Sequence, residues 1–311
     1  MLEIRRYNPE YKYLWDNLVN NSRNGTFLFL RDYMDYHSAR FNDCSFIFFK
    51  KGEIIAVIAG NIKGDDYFSH QGLTYGGIIS SSKVRIIEIE EIFILLNKEL
   101  KEIGIKEVYY KPVPLIYHMY PSQEDLYFLF KLRARKIECN VASIIFCPPK
   151  VEFSKLRRRG IKKGLKAGIM ISESDRFDLF WDLLKENLDL KYKTKPIHNL
   201  DEISLLNKRF PENIRLFIAS EGSQLVAGVV LYIMQKVIRV QYISSNNEGR
   251  RAGALDLLFN ELLNRIFSDM LYFDMGTSYE NGGQSLNRNL IFQKEGFGGR
   301  GVVYETYSYK V

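Results

Sequence analysis

A histidine set among glycines is the first place where this chain can do chemistry: SHQGLTYGG, residues 69–77. An imidazole titrates near neutrality, so His70 has the proton affinity of a general base. Gly72, Gly76 and Gly77 let a backbone come close to a bound molecule, and Tyr75 offers a phenol. His70 and Tyr75 are therefore candidate catalytic groups, with Ser69, Gly76 and Gly77 as substrate contacts. The plainer reading is that Ser69 and His70 cap a strand and the glycines make turns. Another hydroxyl-rich place is the end of VIRVQYISS, where Tyr242, Ser244 and Ser245 follow one another. Backbone N–H groups at such a strand end can polarise a carbonyl. Thr277 closes a later strand, Asn289 and Lys294 sit on the next helix, and Arg300 between two glycines can reach an anion. Lys294 falls five residues after Asn289, off its face. His37, His118 and His198 are scattered. His198 precedes Asn199 and Glu202, which read as a helix cap and its partner. Four isolated histidines with no acidic or cysteine cluster predict no metal site.

Charge is the other chemical signal. Residues 150–168 hold Lys150, Lys155, Arg157, Arg158, Arg159, Lys162, Lys163 and Lys166 against Glu152 alone, so this stretch carries +7, the excess of the whole chain. Arg158, Arg159 and Lys162 are the residues expected to meet an acidic partner. Nothing in MLEIRRYNPEYKYLWDNLV resembles the apolar core of a secretion signal. The most apolar stretch, IIEIEEIFILL, is broken by Glu88, Glu90 and Glu91, whereas a bilayer span needs about 20 apolar residues. Cys44, Cys139 and Cys147 are odd in number and far apart, which predicts reduced thiols in the cytoplasm.

The elements that must position these residues come in two similar sets. SFIFFKKGEIIAVIAG (45–60) reads as strand, turn, strand, and LFIASEGSQLVAGVVL (216–231) repeats it, with Ala56 matching Ala227 and Phe130 matching Phe292. Each half adds a strand, a helix, a strand, and a helix running into a last strand. In the first half the helical run 83–103 presents an apolar face through Val84, Ile87, Ile94, Leu95 and Leu100 and stops at Gly104. Ser122 caps a helix through Phe130, and ECNVASIIFC ends the half. Pro148-Pro149 then marks a boundary. The expected domains are 1–149 and 150–311, the latter opened by the basic helix KLRRRGIKKGLKAG. A helix is expected over 250–267 and a closing strand in VVYETYSYK. The fold class is α/β, a mixed sheet layered by helices, present twice.

This order, with VIRVQYISSNNEGRRAGALDLLFNELL and then NLIFQKEGFG, resembles the GNAT acyltransferase fold. The tandem arrangement of two copies, with a basic helix between them, resembles the Fem-type (FemABX-like) branch. The resemblance implies an acyltransferase that joins an activated acyl group to an amine of an amino sugar or a cell-wall precursor, itself small or nucleotide-linked. The donor is acyl-CoA, such as acetyl-CoA, or an aminoacyl-tRNA. In GNAT proteins the strand ending at Tyr242, Ser244 and Ser245 splays to receive the acyl group. The following turn, Arg/Gln-x-x-Gly-x-Gly/Ala, grips the pyrophosphate of coenzyme A at a helix start. Arg250, Arg251, Gly253 and Ala254 are the matching residues, but Leu255 stands where a small residue belongs. Phe292 stands where the family's late helix often carries a tyrosine acid. Both departures count against ordinary acetyl-CoA chemistry. A long coiled-coil arm, common in the Fem branch, is missing from 150–215. The alternative is a catalytically degenerate scaffold that binds RNA or another polyanion through residues 150–168, and a third reading is a scaffold for a protein partner.

Overall fold

The computed structural model describes residues 1–280 and 283–311, and at 191–192 the backbone alone. The chain divides into two units, Met1–Asn140 with Val303–Val311, and Val141–Val302.

In the first unit β1 (Leu2–Arg6) precedes α1 (Lys12–Asn20). The aromatic-rich segment 27–40 is a chain of short helical turns. Then come β2 (Phe46–Lys50), β3 (Glu53–Ile58), β4 (Asn61–Lys63), β5 (Asp66–Phe68) and β6 (Ile78–Ser80). Next are α2 (Ile86–Glu102), β7 (Glu107–Tyr110) and α3 (Glu124–Lys131). Strands β1, β2, β3 and β6 form one antiparallel sheet. β5 pairs in parallel with β7, which pairs antiparallel with residues 307–310. The helix α2 buries Ile89, Ile92, Phe93, Leu96 and Leu100, a 3.6-residue period. Ile87 and Ile94, expected on that face, are 66% and 62% exposed. Gln123, not Ser122, precedes α3, and Asp125 accepts a hydrogen bond from the Tyr110 hydroxyl (2.8 Å).

The strand β8 (Arg135–Phe146) carries the chain across the boundary, for its residues 142–146 pair antiparallel with a strand of the second unit. Thus ECNVASIIFC does not simply end the first half, and the final strand does not simply end the second. Each unit takes part of its last strand from the other half of the sequence.

The second unit opens with α4 (Lys155–Lys166), β9 (Met170–Ser174), α5 (Phe177–Tyr192) and α6 (Leu200–Arg209). After these come β10 (Ile214–Glu221), β11 (Gln224–Ile233), β12 (Val237–Ser245), α7 (Asn247–Ala252) and α8 (Ala254–Glu261). The unit closes with β13 (Tyr272–Thr277), α9 (Arg288–Glu295) and β14 (Arg300–Lys310), whose last residues belong to the first unit. Strands β9 to β13 lie in chain order, β12 and β13 parallel, with residues 142–146 beyond. The core joins Phe217, Val229, Ile238 and Val240 from the sheet with Leu258, Phe259 and Leu262 from the helical side. Among the described residues no helix is long and apolar enough to cross a membrane, and no cluster of three or more His, Cys, Asp or Glu could hold a metal ion.

Candidate active site

The wedge between β12 and β13 gathers buried charge in the second unit. These strands pair only at Val237↔Tyr272, Ile238↔Phe273 and Arg239↔Asp274. The last rung is an ion pair, Arg239 Nη1 to Asp274 Oδ2 at 2.9 Å, with Asp274 fully buried. Asp274 also accepts the Gly276 N–H (2.7 Å), and Gly276 at φ +74° turns the strand as only glycine does readily. Lys294 of α9 is 8% exposed, and its Nζ donates to the carbonyls of Gly276 (2.9 Å) and Thr277 (2.8 Å). Burial lowers its pKa to about 8, the Asp274 carboxylate opposing and the Arg239 cation reinforcing that shift. An ammonium has three donors, and two are accounted for here.

On the other arm a β-bulge reorients β12. Val230 pairs with Tyr242 but Leu231 with Val240, so Gln241 is the extra residue. Without it Val240 and Tyr242 would share a face. Instead Val240 enters the core beside Leu258, while Tyr242 meets Trp181 of α5 edge-on, with ring centroids 5.0 Å apart. The Tyr242 Oη lies 2.5 Å from His198 Nδ1 and accepts the His198 N–H at 3.2 Å. Burial raises the phenol to about 12, so it stays protonated and donates to Nδ1. With Nδ1 accepting, the ring nitrogen left to donate is Nε2. His198 lines a cavity of about 400 Å³ with Trp181, Lys185, Asp189, Lys195 and Asn199. The Asn199–Glu202 capping box fixes the backbone that follows, as its sequence predicts.

Ser244 and Ser245 are tied into the fold. Asn187 Nδ2 donates to Ser244 Oγ (2.6 Å) and to the Ser245 carbonyl (3.0 Å). Arg250 folds back onto the same carbonyl (2.6 Å) and onto Asn247 Oδ1 (2.7 Å). The helix expected from 250 begins at Asn247 under an Asn246 cap and breaks at Gly253, φ +77°. A Cβ on Gly253 would lie 2.3 Å from the Gly160 carbonyl oxygen, so this glycine serves helix packing. Ala254 is buried and Arg251 exposed. Residues 250–252 and 254–255 are helical on either side of a left-handed turn at Gly253, and that turn packs against Gly160. The backbone that the sequence pattern assigns to a pyrophosphate is in contact with the Gly160 carbonyl of α4.

The loop 69–77 is built differently from the expectation. Ser69 Oγ accepts the Lys111 N–H (2.8 Å) and the Gly76 N–H donates to the Lys111 carbonyl (2.8 Å). A Cβ on Gly76 would sit 1.9 Å from the Ser69 carbonyl oxygen, and one on Gly77 2.6 Å from the Tyr110 hydroxyl. These glycines admit the protein's own groups. Tyr75 is buried, with its hydroxyl on Thr26 Oγ1 (3.2 Å). His70, at φ +62°, packs on Phe41 (5.1 Å) and His37 (5.5 Å). Burial and then His37 depress its pKa to about 3, so at neutral pH it is an uncharged imidazole of weakened basicity. Of the remaining candidates, Thr277 joins the wedge through its carbonyl, while Asn289 is exposed and Arg300 bonds its neighbour Gly299 (2.6 Å). Arg158, Arg159 and Lys162 lie on the open face of α4. Sequence reading passed over Arg239, Asp274 and Trp181 and set aside Lys294 and His198. An Arg and an Asp inside otherwise apolar strands were the available signal.

Among solved structures the chain is similar to FemX over 99% of this chain and 97% of that one, at 13% identity and a TM-score of 0.71. It has a tandem GNAT fold of the Fem type. L-PGS from Bacillus licheniformis matches a chain share of 97% (91% of its own length) at 13% identity and TM-score 0.59. A tandem GNAT protein from the clavulanic acid biosynthesis pathway matches 100% (98% of its own length) at 10% identity and TM-score 0.55. No protein-family model and no curated protein matches the sequence. In Fem-type terms, the wedge is where the paired parallel strands of the second GNAT copy part.

Proposed function

We propose that the protein is an amide-forming acyltransferase whose chemistry lies in the wedge of the second unit. The buried Lys294 amine, aimed at the turn where β13 leaves β12, carries this reading. The donor is an aminoacyl-tRNA rather than acyl-CoA, because the Gly253 turn is packed against the Gly160 carbonyl and Arg250 is held by the Ser245 carbonyl and Asn247. The acceptor is an amine on an amino sugar or a cell-envelope precursor, as the Fem-type likeness suggests.

In the reaction the amine nitrogen attacks the aminoacyl ester carbonyl. A C–N bond forms, the ester C–O bond breaks, and the proton lost from nitrogen passes to the departing ribose oxygen. Lys294 holds two carbonyls with two N–H groups and turns the third on the oxyanion. His198, fixed by Tyr242 with its proton on Nε2, donates a hydrogen bond to the substrate at the cavity. Arg239 and Asp274 touch no substrate; they hold the fork from which both arms leave.

The test is transfer of labelled amino acid from a mixture of charged tRNAs to amino sugars and cell-wall precursor peptides, run beside acetyl-CoA. Label moving from tRNA into an amide supports the proposal. Label moving only from acetyl-CoA overturns the donor, and no transfer from either, with intact folding, indicates a scaffold without catalysis.

A further inference from the structure

The basic segment forms a one-sided surface. At about 100° per residue, Lys155, Arg158, Arg159, Lys162, Lys163 and Lys166 fall within an arc of about 140° on α4, and all six are exposed. Arg157 is not among them. It turns inward to Asp256 (2.6 Å) and stacks over the Phe297 ring (5.0 Å). Gly160 and Gly164 make the inner face: a Cβ on Gly160 would lie 1.7 Å from Asp256 Oδ2, and one on Gly164 3.0 Å from Leu257 Cβ. Among the described residues the one ion pair on the outer face is Arg158 with Glu152 at 2.8 Å. Five cations there stand without a carboxylate partner. The helix is fastened to the element that carries Lys294, for the Ser154 N–H donates to the Gly296 carbonyl (2.8 Å) just past the end of α9.

We infer that the outer face of α4 is a docking surface for the phosphate backbone of a structured RNA. The inference rests on the donor proposed above and names the surface that holds it. Six cations along about 18 Å of helix face outward, as a polyanion requires, and the contact is with phosphates, so it reads charge and not base sequence. A membrane is the less suitable occupant. An interfacial helix needs a continuous apolar face beside its charges, but here that face is spent on α8. The exposed Leu156 and Leu165 stand at opposite edges of the charged arc, about 180° apart.

The experiment uses the full chain with deacylated tRNA as the probe, binding followed by fluorescence anisotropy across a series of KCl concentrations. Four cations are neutralised together (Lys155→Gln, Arg159→Gln, Lys162→Gln, Lys166→Gln), and the paired reversals Lys155→Glu/Arg159→Glu and Lys162→Glu/Lys166→Glu are made as a further set. The slope of log affinity against log salt is expected to fall by about 3 in the fourfold variant, with affinity at least tenfold weaker. Each reversal pair should weaken binding alone. Arg157→Gln should leave the slope unchanged. An unaltered slope in the folded variants overturns the inference, as does binding to phosphatidylglycerol vesicles, but not tRNA, that the same changes abolish. Aminoacyl transfer separates this from the donor proposal. If transfer proceeds and the fourfold variant keeps its KM for charged tRNA, the docking surface is wrong and the donor right. If tRNA binds with the expected slope but no amino acid is transferred, the donor is wrong while the surface stands.

Discussion

The third rung of the parallel pair differs between the two units. In the first, Asp66↔Glu107, Tyr67↔Val108 and Phe68↔Tyr109 are matched, and Phe68 stacks on Tyr109 at 4.7 Å and 10°. In the second, the equivalent rung is Arg239 and Asp274, ion-paired and buried. Beyond it, Ser80 meets Ala56 in the first unit and Ser245 meets Ala227 in the second. Phe68 to Ser80 is twelve positions, and Arg239 to Ser245 is six. The extra residues make the 69–77 loop, which breaks one strand into β5 and β6 and fills its own opening with His70 and Tyr75. The second unit keeps an unbroken β12 and spends a single bulge residue, Gln241, on aiming Tyr242 at His198. One copy has closed its fork with aromatic packing, and the other holds it open with charge.

The largest difference is expected in stability. Asp274→Asn takes the fully buried carboxylate away from the half-buried Arg239 and should cost about 3–5 kcal/mol, whereas Phe68→Leu, an apolar exchange, should cost less than about 1.5 kcal/mol. Urea unfolding of both variants measures this, and equal losses would erase the contrast. Next in size is catalysis on the Tyr242 arm. His198→Ala is expected to lower acyl transfer about 10- to 100-fold, with Tyr242→Phe intermediate because His198 then loses the group that fixes its tautomer.

The pH dependence sharpens the comparison further. Lys294 acts as a cation with a pKa of about 8, so kcat should fall as pH rises through about 8, tenfold per unit above it. A rate that instead climbs to a plateau there would make Lys294 a base. The first unit contributes a pH effect of its own. His70 is depressed from 6.5 to about 3 in the fold, so the unfolded chain takes up a proton that the native loop refuses. Its contribution is complete above about pH 6.5 and drains away as pH falls toward 3. His70→Asn, which tolerates the left-handed backbone, should flatten the acid limb of the stability curve.

Much of this fold is legible locally. The two hairpins, the Asn199–Glu202 cap, Gly104 at φ +82° and the basic helix all declare themselves within a few residues. What is not legible depends on distant partners. Arg157 turns inward because Gly160, three residues on, leaves room for Asp256, and a helical run of basic residues cannot reveal that. A bulge at Gln241 decides which face Tyr242 takes, and the alternation of β12 gives no hint of it. SHQGLTYGG has the composition of a ligand loop, yet its glycines face Ser69, Tyr110 and His37. The sharing of last strands between units is a pairing choice made beyond position 140 and again at 303, where no turn residue marks it.

Among the described residues each unit holds one lysine whose pKa burial has lowered to about 8: the half-buried Lys111 in the first, its Nζ on the Leu73 carbonyl (2.6 Å), and the buried Lys294 in the second. The decisive measurement is the single-turnover rate of aminoacyl transfer in Lys294→Met and Lys111→Met, with folding of each checked by its near-UV circular dichroism. We expect Lys294→Met to lose about 10²- to 10³-fold and Lys111→Met to keep the parent rate within about threefold. A large loss in Lys111→Met with Lys294→Met active would place the chemistry in the loop of the first unit and contradict the account.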